Sequence, residues 1–390
     1  MPRRVDYFSE TMRITDVRPV LLTHPYGSDP AGRRSACFVE VETDAGITGI
    51  GETYAGVYVP EIAASIVELF KPLVLGQDAT SPESVFRTAY RATSYFGRTG
   101  LTVMVLSAIE NALWDIAGKA HGVPVHALLG GAVHDELPMY GSGGPFTMTI
   151  PDLVAQATDV KRRGLRGFKI RVNFFRYEPE VEAERVAAVR EALGRDMALA
   201  IDAVQNYNPR PWSVKEAARM LRMLEPFNLE WAEEMLPPFD PQPYAELRRA
   251  TSTPISGGEG ITTAQQFEQW LRAGAFDLAQ PDATIIGGIG EARRACEAAA
   301  RRSIPVATHV WGSAPTLAAN IHLAFATPNC VWVEQPVLGN PLESELMVEP
   351  LKIDDGHVRP PSTPGLGIRL TEEIRRKYPF VPGSGSVFGV

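Results

Sequence analysis

Six residues able to carry chemistry recur along the chain at intervals of about one strand-plus-helix unit, and each closes a short apolar, strand-like run. They are Asp202 in "ALAID", Glu233 in "LEWAE", Glu259 in "PISGGE", Asp282 in "LAQPD", His309 in "PVATH" and Glu334 in "VWVE". Helical patterns with turn punctuation separate them. Strands alternating with helices build a parallel sheet, and a barrel made this way gathers its strand ends on the face where catalysis is found. Residues far apart in sequence then converge into one acidic pocket with a histidine at its side. Such a cluster repels itself unless a cation holds it together. The spacing therefore predicts a metal enzyme.

With 390 residues, 45% of them hydrophobic, the chain can fill a barrel and a second domain. Its net charge of −8 argues against nucleic acid, which needs a basic footprint. Cys37, Cys296 and Cys330 have no metal-like spacing and an odd count, which favours a reducing compartment over a disulfide framework. The opening "MPRRVDYFSETMRI" has arginines with no apolar stretch behind them. Neither a signal peptide nor a membrane span is expected, and the expected location is cytoplasmic.

The first third has its own rhythm. "MRITDVRPVLL", "SACFVEVETD" and "GITGIGET" read as strands, with Asp44-Ala45-Gly46 as a turn. Helical patterns follow in "VPEIAASIVELFKPLV", "SPESVFRTAYRAT" and "LTVMVLSAIENALWDIAGKAHG", the last stopped by Gly122. From Leu137 the strand–helix alternation begins, with "LPMY" and "GFKIRV" as its first two strands. The expected fold is α/β: a modified TIM (β/α) barrel over residues 137–355. An α+β capping domain is expected over 1–136, completed by a Pro- and Gly-rich C-terminal segment, 356–390.

Asp202, Glu233 and Glu259, on successive units, offer hard oxygen ligands that suit Mg²⁺ and leave positions for substrate. Glu234 reads as a neighbour of that set, either supporting it or solvated. Asp282 and His309 suggest a base dyad, since a carboxylate that accepts the imidazole N–H fixes the tautomer and raises basicity. Lys169 and Arg171, two apart in "FKIRV", share one face of a strand and are expected to aim into the pocket. His322, on a helix face, and His24, in a loop, are expected to be structural.

Assembled, these positions resemble the enolase superfamily, in its mandelate racemase/muconate lactonizing enzyme-like branch. The resemblance rests on "FKIRV", "IDAVQ", "EWAEE", "SGGEG", "QPDATIIGGIGE" and "ATHVWGSAPTLAANIHLAFA", ending in "VWVEQP". It implies Mg²⁺ held by Asp202, Glu233 and Glu259, a dyad of Asp282 and His309, and Glu334 polarising the substrate carboxylate. It also implies specificity loops around His24–Arg34 and Tyr54–Val59, and a homo-oligomer, dimer or octamer. The chemistry implied is loss of a proton α to a carboxylate through an enediolate.

Three departures from the family pattern bear on the reaction. The second strand's usual Lys-x-Lys is Lys169-x-Arg171 here, and a guanidinium is a poor base. An asparagine common two residues after the first ligand is Val204, and the Glu-Glu pair is followed by Met235 rather than proline. The resulting expectation is a lyase, an acid-sugar dehydratase giving a 2-keto-3-deoxy acid. His309 would act as base, Lys169 would neutralise the carboxylate, and Arg171 would clamp anionic oxygens. The alternatives are a racemase, epimerase or lactone cycloisomerase, in which Lys169 would serve as opposite-face base, and a non-catalytic sugar-acid binder. Arg33 and Arg34 could meet a second carboxylate of an aldarate, but exposed loop arginines ordinarily only solvate.

Overall fold

The computed structural model describes residues 11–27, 31–173 and 175–386. The start of the chain, on which the no-leader expectation rests, and residues 28–30, within the expected specificity loop, lie outside these. Three antiparallel strands open the fold: β1 (Ile14–Pro25), β2 (Arg33–Thr43) and β3 (Thr48–Thr53), with β2 in the middle. Helices α1 (Pro60–Val74), α2 (Pro82–Gly97) and α3 (Leu101–His121) follow. Val105, Ile109, Ala112 and Ile116 all bury their side chains, as their helical spacing predicts. Gly122 ends α3 in the left-handed region at φ 66°.

Helix α3 lies hard against β3, and two glycines permit it. A Cβ at Gly51 would stand 1.9 Å from the Ala108 carbonyl oxygen, and one at Gly49 would stand 2.0 Å from that of Ala112. The apolar length of α3 would suffice to cross a membrane, but most of it is buried inside the fold. It is the central core helix of this domain.

After the single turn α4 (Val125–Leu128), eight parallel strands alternate with helices. In order they are β4 (Leu137–Gly143), α5 (Ile150–Arg162), β5 (Gly167–Arg171), α6 (Pro179–Leu193), β6 (Ala198–Asp202), α7 (Val214–Leu224), β7 (Ala232–Glu233), α8 (Pro241–Ala250), β8 (Ile255–Gly257), α9 (Ala264–Ala273), β9 (Leu278–Ala279), α10 (Ile289–Ala300), β10 (Val306–Thr308), α11 (Ala314–Phe325) and β11 (Cys330–Pro336). Pairing of β11 with β4 closes the barrel. The last strand has no full helix behind it, only the four-residue α12 (Leu342–Glu345). Helix α8 was not legible from the pattern, because Pro241 and Pro243 punctuate "PQPYAELRRA". Both prolines fall in its first turn, where their missing N–H groups cost nothing.

A small hairpin, β12 (Ile353–Asp354) and β13 (His357–Val358), extends β4 at its N-terminal end. The rest of the tail, including α13 (Glu372–Lys377), packs back on the first sheet. Pro379 bridges Leu22, Val381 donates to Thr23, and Arg375 pairs with Glu40. Inside the barrel Tyr140, Ala200, Trp231, Leu278 and Ala307 form an apolar floor, with Trp332 packed against it. The cysteines are all free and buried.

The first domain also grips the barrel loops. Glu52 on β3 accepts from the Ser313 and Thr316 N–H groups at the start of α11. Ser107, Glu110 and Asn111 on α3 accept from the N–H groups of Gly287, Gly290 and Ile289 at the start of α10. Each satisfies donors that a helix start leaves open. Together they fix the two loops that follow Asp282 and His309.

Candidate active site

Asp202, Glu233, Glu259, Asp282, His309, Glu334, Lys169 and Arg171 all lie on barrel strands or just beyond their C-terminal ends. Asp202 is the last residue of β6, Glu233 the last of β7, and Glu334 lies within β11. Glu259, Asp282 and His309 sit one to three positions beyond the ends of β8, β9 and β10, so those runs are shorter as strands than as apolar patterns. Register places Arg171 beside Asp202 and Asp202 beside Glu233 on adjacent strands.

Lys169 is buried, its Nζ 2.5 Å from Glu233 Oε1 and 3.0 Å from Glu334 Oε1. Glu233 Oε2 also accepts from Trp231 Nε1 at 3.1 Å and from Gln280 Nε2 at 2.5 Å. Burial alone would favour neutral lysine. The charges of Glu233 and Glu334 outweigh it and hold the amine protonated, its pKa well above the ordinary value. Glu334 is correspondingly held low despite its burial, by Lys169, His309 and the Val310 N–H, which donates to Oε2 at 2.7 Å. Arg171 lies 3.7 Å from Asp202 and stacks 4.3 Å above the Trp311 ring.

The dyad forms. His309 Nδ1 meets Asp282 Oδ2 at 2.8 Å. The other carboxylate oxygen accepts from the Thr284 N–H and hydroxyl, both at 2.7 Å, and from Asn320 Nδ2 at 3.0 Å. Asn320 also receives the Ala283 N–H, so it locks the loop as well as the side chain. His309 Nε2 faces Glu259 Oε2 at 3.4 Å. Burial opposes a charged imidazole, but Glu259, Asp282 and Glu334 push its pKa up to about 10.

Glu234 is not a solvated neighbour. It is buried at φ 44°, in the left-handed region, and neither carboxylate oxygen has a hydrogen-bond partner. Burial, then Glu259 and Asp202, raise its pKa well above the carboxylate range. Burial and the neighbouring carboxylates also move Asp202 up to about 6. Glu259 rises to about 7, chiefly through burial, with His309 pulling the other way. Among the described residues no three acidic or imidazole side chains converge on one coordination point, since Glu233 is turned toward its donors. An oxygen-only set with orphaned, mutually repelling members nevertheless suits a hard divalent cation.

Val204 departs from the family's asparagine at a demanding place. It adopts φ 39°, which a β-branched side chain rarely does and asparagine tolerates better. Its N–H donates to Asp202 Oδ1 at 3.0 Å, so the strained turn steadies that carboxylate. Met235 is fully buried beyond Glu234. His24 corrects the sequence reading: it lies on β1 rather than in a loop, and burial lowers its pKa to about 4. His322 is structural as expected, buried in α11 against His126 with ring centroids 5.4 Å apart.

Other side chains went unread. Tyr54, Tyr58 and Tyr207 link hydroxyls across the mouth, 3.1 and 2.5 Å apart, and Tyr54 sits edge-on to His309 with centroids 6.1 Å apart. Gln280 and Asn320 were legible only as polar residues near a motif. Arg34 is on β2 and buried, whereas Arg33 beside it is exposed.

Comparison with known proteins now settles the lineage. Residues 11–130 match the mandelate racemase / muconate lactonizing enzyme N-terminal domain, and residues 152–374 match the enolase C-terminal domain-like family. The chain belongs to the enolase superfamily, in its mandelate racemase / muconate lactonizing enzyme branch. It is 33% identical to the D-galactarolactone cycloisomerase of Agrobacterium fabrum, over 94% of this chain and 99% of that one. It is also 33% identical to the L-talarate/galactarate dehydratase of Salmonella typhimurium, covering 86% of this chain and 81% of the relative. An L-talarate dehydratase from Polaromonas, solved with Mg and L-glucarate, superimposes at TM-score 0.80 with 31% identity. That match covers 94% of this chain and 97% of the other. Relatives in this branch thus include both dehydratases and cycloisomerases.

Proposed function

We propose that this protein is an Mg²⁺-dependent sugar-acid dehydratase. It would take the α-proton of a sugar-acid carboxylate and eliminate the β-hydroxyl as water, giving a 2-keto-3-deoxy acid. The observation that carries the reading is the oriented dyad, with His309 Nδ1 fixed by Asp282 and Nε2 turned toward the acidic cluster. Asp202, Glu233 and Glu259 would hold the cation, with the unpartnered oxygens of Glu234 at hand. Glu233 would first exchange one of its contacts with Lys169, Trp231 or Gln280. Mg²⁺ bound there would supply Lewis-acid charge for the substrate carboxylate.

The chain's own groups do the rest. Lys169 and Arg171 offset the negative charge that grows on the carboxylate as the enediolate forms. His309 Nε2 takes the α-proton, and the C–H electron pair becomes the new C=C bond. The imidazolium then returns that proton to the β-hydroxyl, which leaves as water, and the enol product tautomerises to the keto acid. His309 can act as base only when the charge of Glu259 is answered elsewhere, because that carboxylate is the strongest influence keeping it protonated. Arg171 cannot take a proton at any working pH, so it offers no base for racemisation on the other face.

A screen of acid sugars for keto-acid formation, with Mg²⁺ and with chelator, tests the reading. Keto acid that appears only with the metal is the expected result. Racemisation or lactone isomerisation without keto acid would overturn it in favour of an isomerase, and tight binding with no turnover would point to a binder. A cytoplasmic homo-oligomer completes the proposal.

A further inference from the structure

Arg34 is a strongly basic side chain near the mouth for which the mechanism above has no use. It stands on β2 of the capping domain, buried to 4% exposure, and reaches across to the barrel. There its guanidinium donates to the Trp311 carbonyl at 2.9 Å. It lies 4.7 Å over the Tyr26 ring and 5.7 Å over that of Trp311. Among the described residues no carboxylate forms a salt bridge with it, although a guanidinium carries five donors.

The nearest acids are otherwise engaged. Glu52 is saturated by Ser313 and Thr316 at the start of α11. Glu343, half-buried, accepts from Gln335 Nε2 at 3.0 Å instead. A buried cation without a carboxylate partner is unfavourable unless an incoming anion answers it. The location fits a ligand spanning the pocket. Arg171, beside Asp202, stacks at 4.3 Å on the same Trp311 ring that Arg34 overlies. Tyr54 is an electrostatic neighbour of Arg34 and sits edge-on to His309. The two guanidinium groups thus share one aromatic neighbour at the mouth.

Resting on the dehydratase reading, we infer that Arg34 receives a second carboxylate at the end of the substrate remote from the α-proton. The substrate class is then the sugar dicarboxylic acids rather than the corresponding mono-acids. Planar, bidentate pairing of guanidinium with carboxylate supplies the selectivity, because a mono-acid puts a neutral hydroxymethyl group against a buried charge.

The test compares six-carbon sugar diacids with mono-acids of matching stereochemistry, using the Mg²⁺-loaded full chain. Keto-acid formation and α-proton exchange in D₂O are both measured. Diacids should be preferred by about 100-fold or more in kcat/KM, the scale of a desolvated charge pair. Arg34→Gln should bring that ratio close to one, mainly through the diacid KM, and Arg34→Lys should restore part of it. Adipate should compete better than hexanoate against the unmodified protein and lose this advantage in Arg34→Gln. A melting curve checks that each variant folds. If Arg34→Gln does not fold, the unmodified ratio and Arg34→Lys still decide. Turnover of mono-acids at least as good as that of diacids, or a diacid preference that a folded Arg34→Gln retains, would overturn the inference and leave the dehydratase reading intact. No turnover of either class would instead strike that reading.

Discussion

His309→Asn is expected to lower both dehydration and α-proton exchange by about two to four orders of magnitude, the usual contribution of a positioned general base. The residue is fixed at one nitrogen. Asp282 accepts at Nδ1 and sets the tautomer, which leaves Nε2 as the reactive site. Asparagine fills similar space and can keep a contact to Asp282, but it cannot hold the proton. Asp282→Asn should impair the same steps less, because the imidazole remains in place while its tautomer is no longer dictated. Asp282 is itself held by Thr284 and Asn320, so its replacement should not collapse the loop. Exchange and keto-acid formation measured on one sample separate base from acid. If His309→Asn exchanged the α-proton at the unmodified rate and lost only dehydration, the histidine would serve the leaving group alone. Lys169 would then be the leading base, despite the two carboxylates that hold it protonated.

The barrel was legible because its signals are local and repeat. An apolar run ending in an acid recurs with a helix between copies, and a parallel sheet is the economical way to bury such runs. Strand length was less legible. "LEWAE" and "LAQPD" read as full strands, yet only Ala232–Glu233 and Leu278–Ala279 pair as such, because inter-strand registry decides pairing and one segment cannot report it. Asp282 therefore lies on a loop, held there by Asn320 on α11 and by the contacts of α3. Those contacts join segments distant in sequence, and their side-chain acceptors look, in sequence, like ordinary polar residues of a helix. Arg34 shows the same limit from the other side. In sequence it is one of two adjacent arginines near a turn. Only the pairing of β1 with β2 turns Arg34 inward and Arg33 outward, through the alternation of faces along a strand. Val204 was seen as a lost asparagine, but the positive φ that makes the loss matter belongs to the folded turn.

Metal loading should oppose the pH dependence of stability. Without a cation, Asp202 stands at about 6 and Glu259 at about 7, above their ordinary values of 3.8 and 4.5. A group whose pKa is raised on folding contributes stability that is complete below the unfolded value and lost as pH rises through the folded one. The chelated protein should therefore melt at progressively lower temperature between about pH 4 and about pH 7, as repelling carboxylates are forced to ionise. Mg²⁺ binds only the ionised forms, so protons compete with it across the same interval. At a hundredfold excess over its Kd the ion adds about 2.7 kcal/mol, and its stabilising effect should be larger near pH 8 than near pH 5.5. Glu259→Gln removes one repelling charge and one oxygen ligand together. It should stabilise the chelated protein near pH 8, weaken the Mg²⁺-induced rise in Tm, and remove most turnover. Glu233→Gln and Glu234→Gln, titrated by calorimetry, report which member of the pair takes part in binding. Activity should vanish with chelator and return with Mg²⁺ or Mn²⁺. Full turnover in a thoroughly chelated sample would sink the assignment, as would a Tm near pH 8 that Mg²⁺ leaves unmoved.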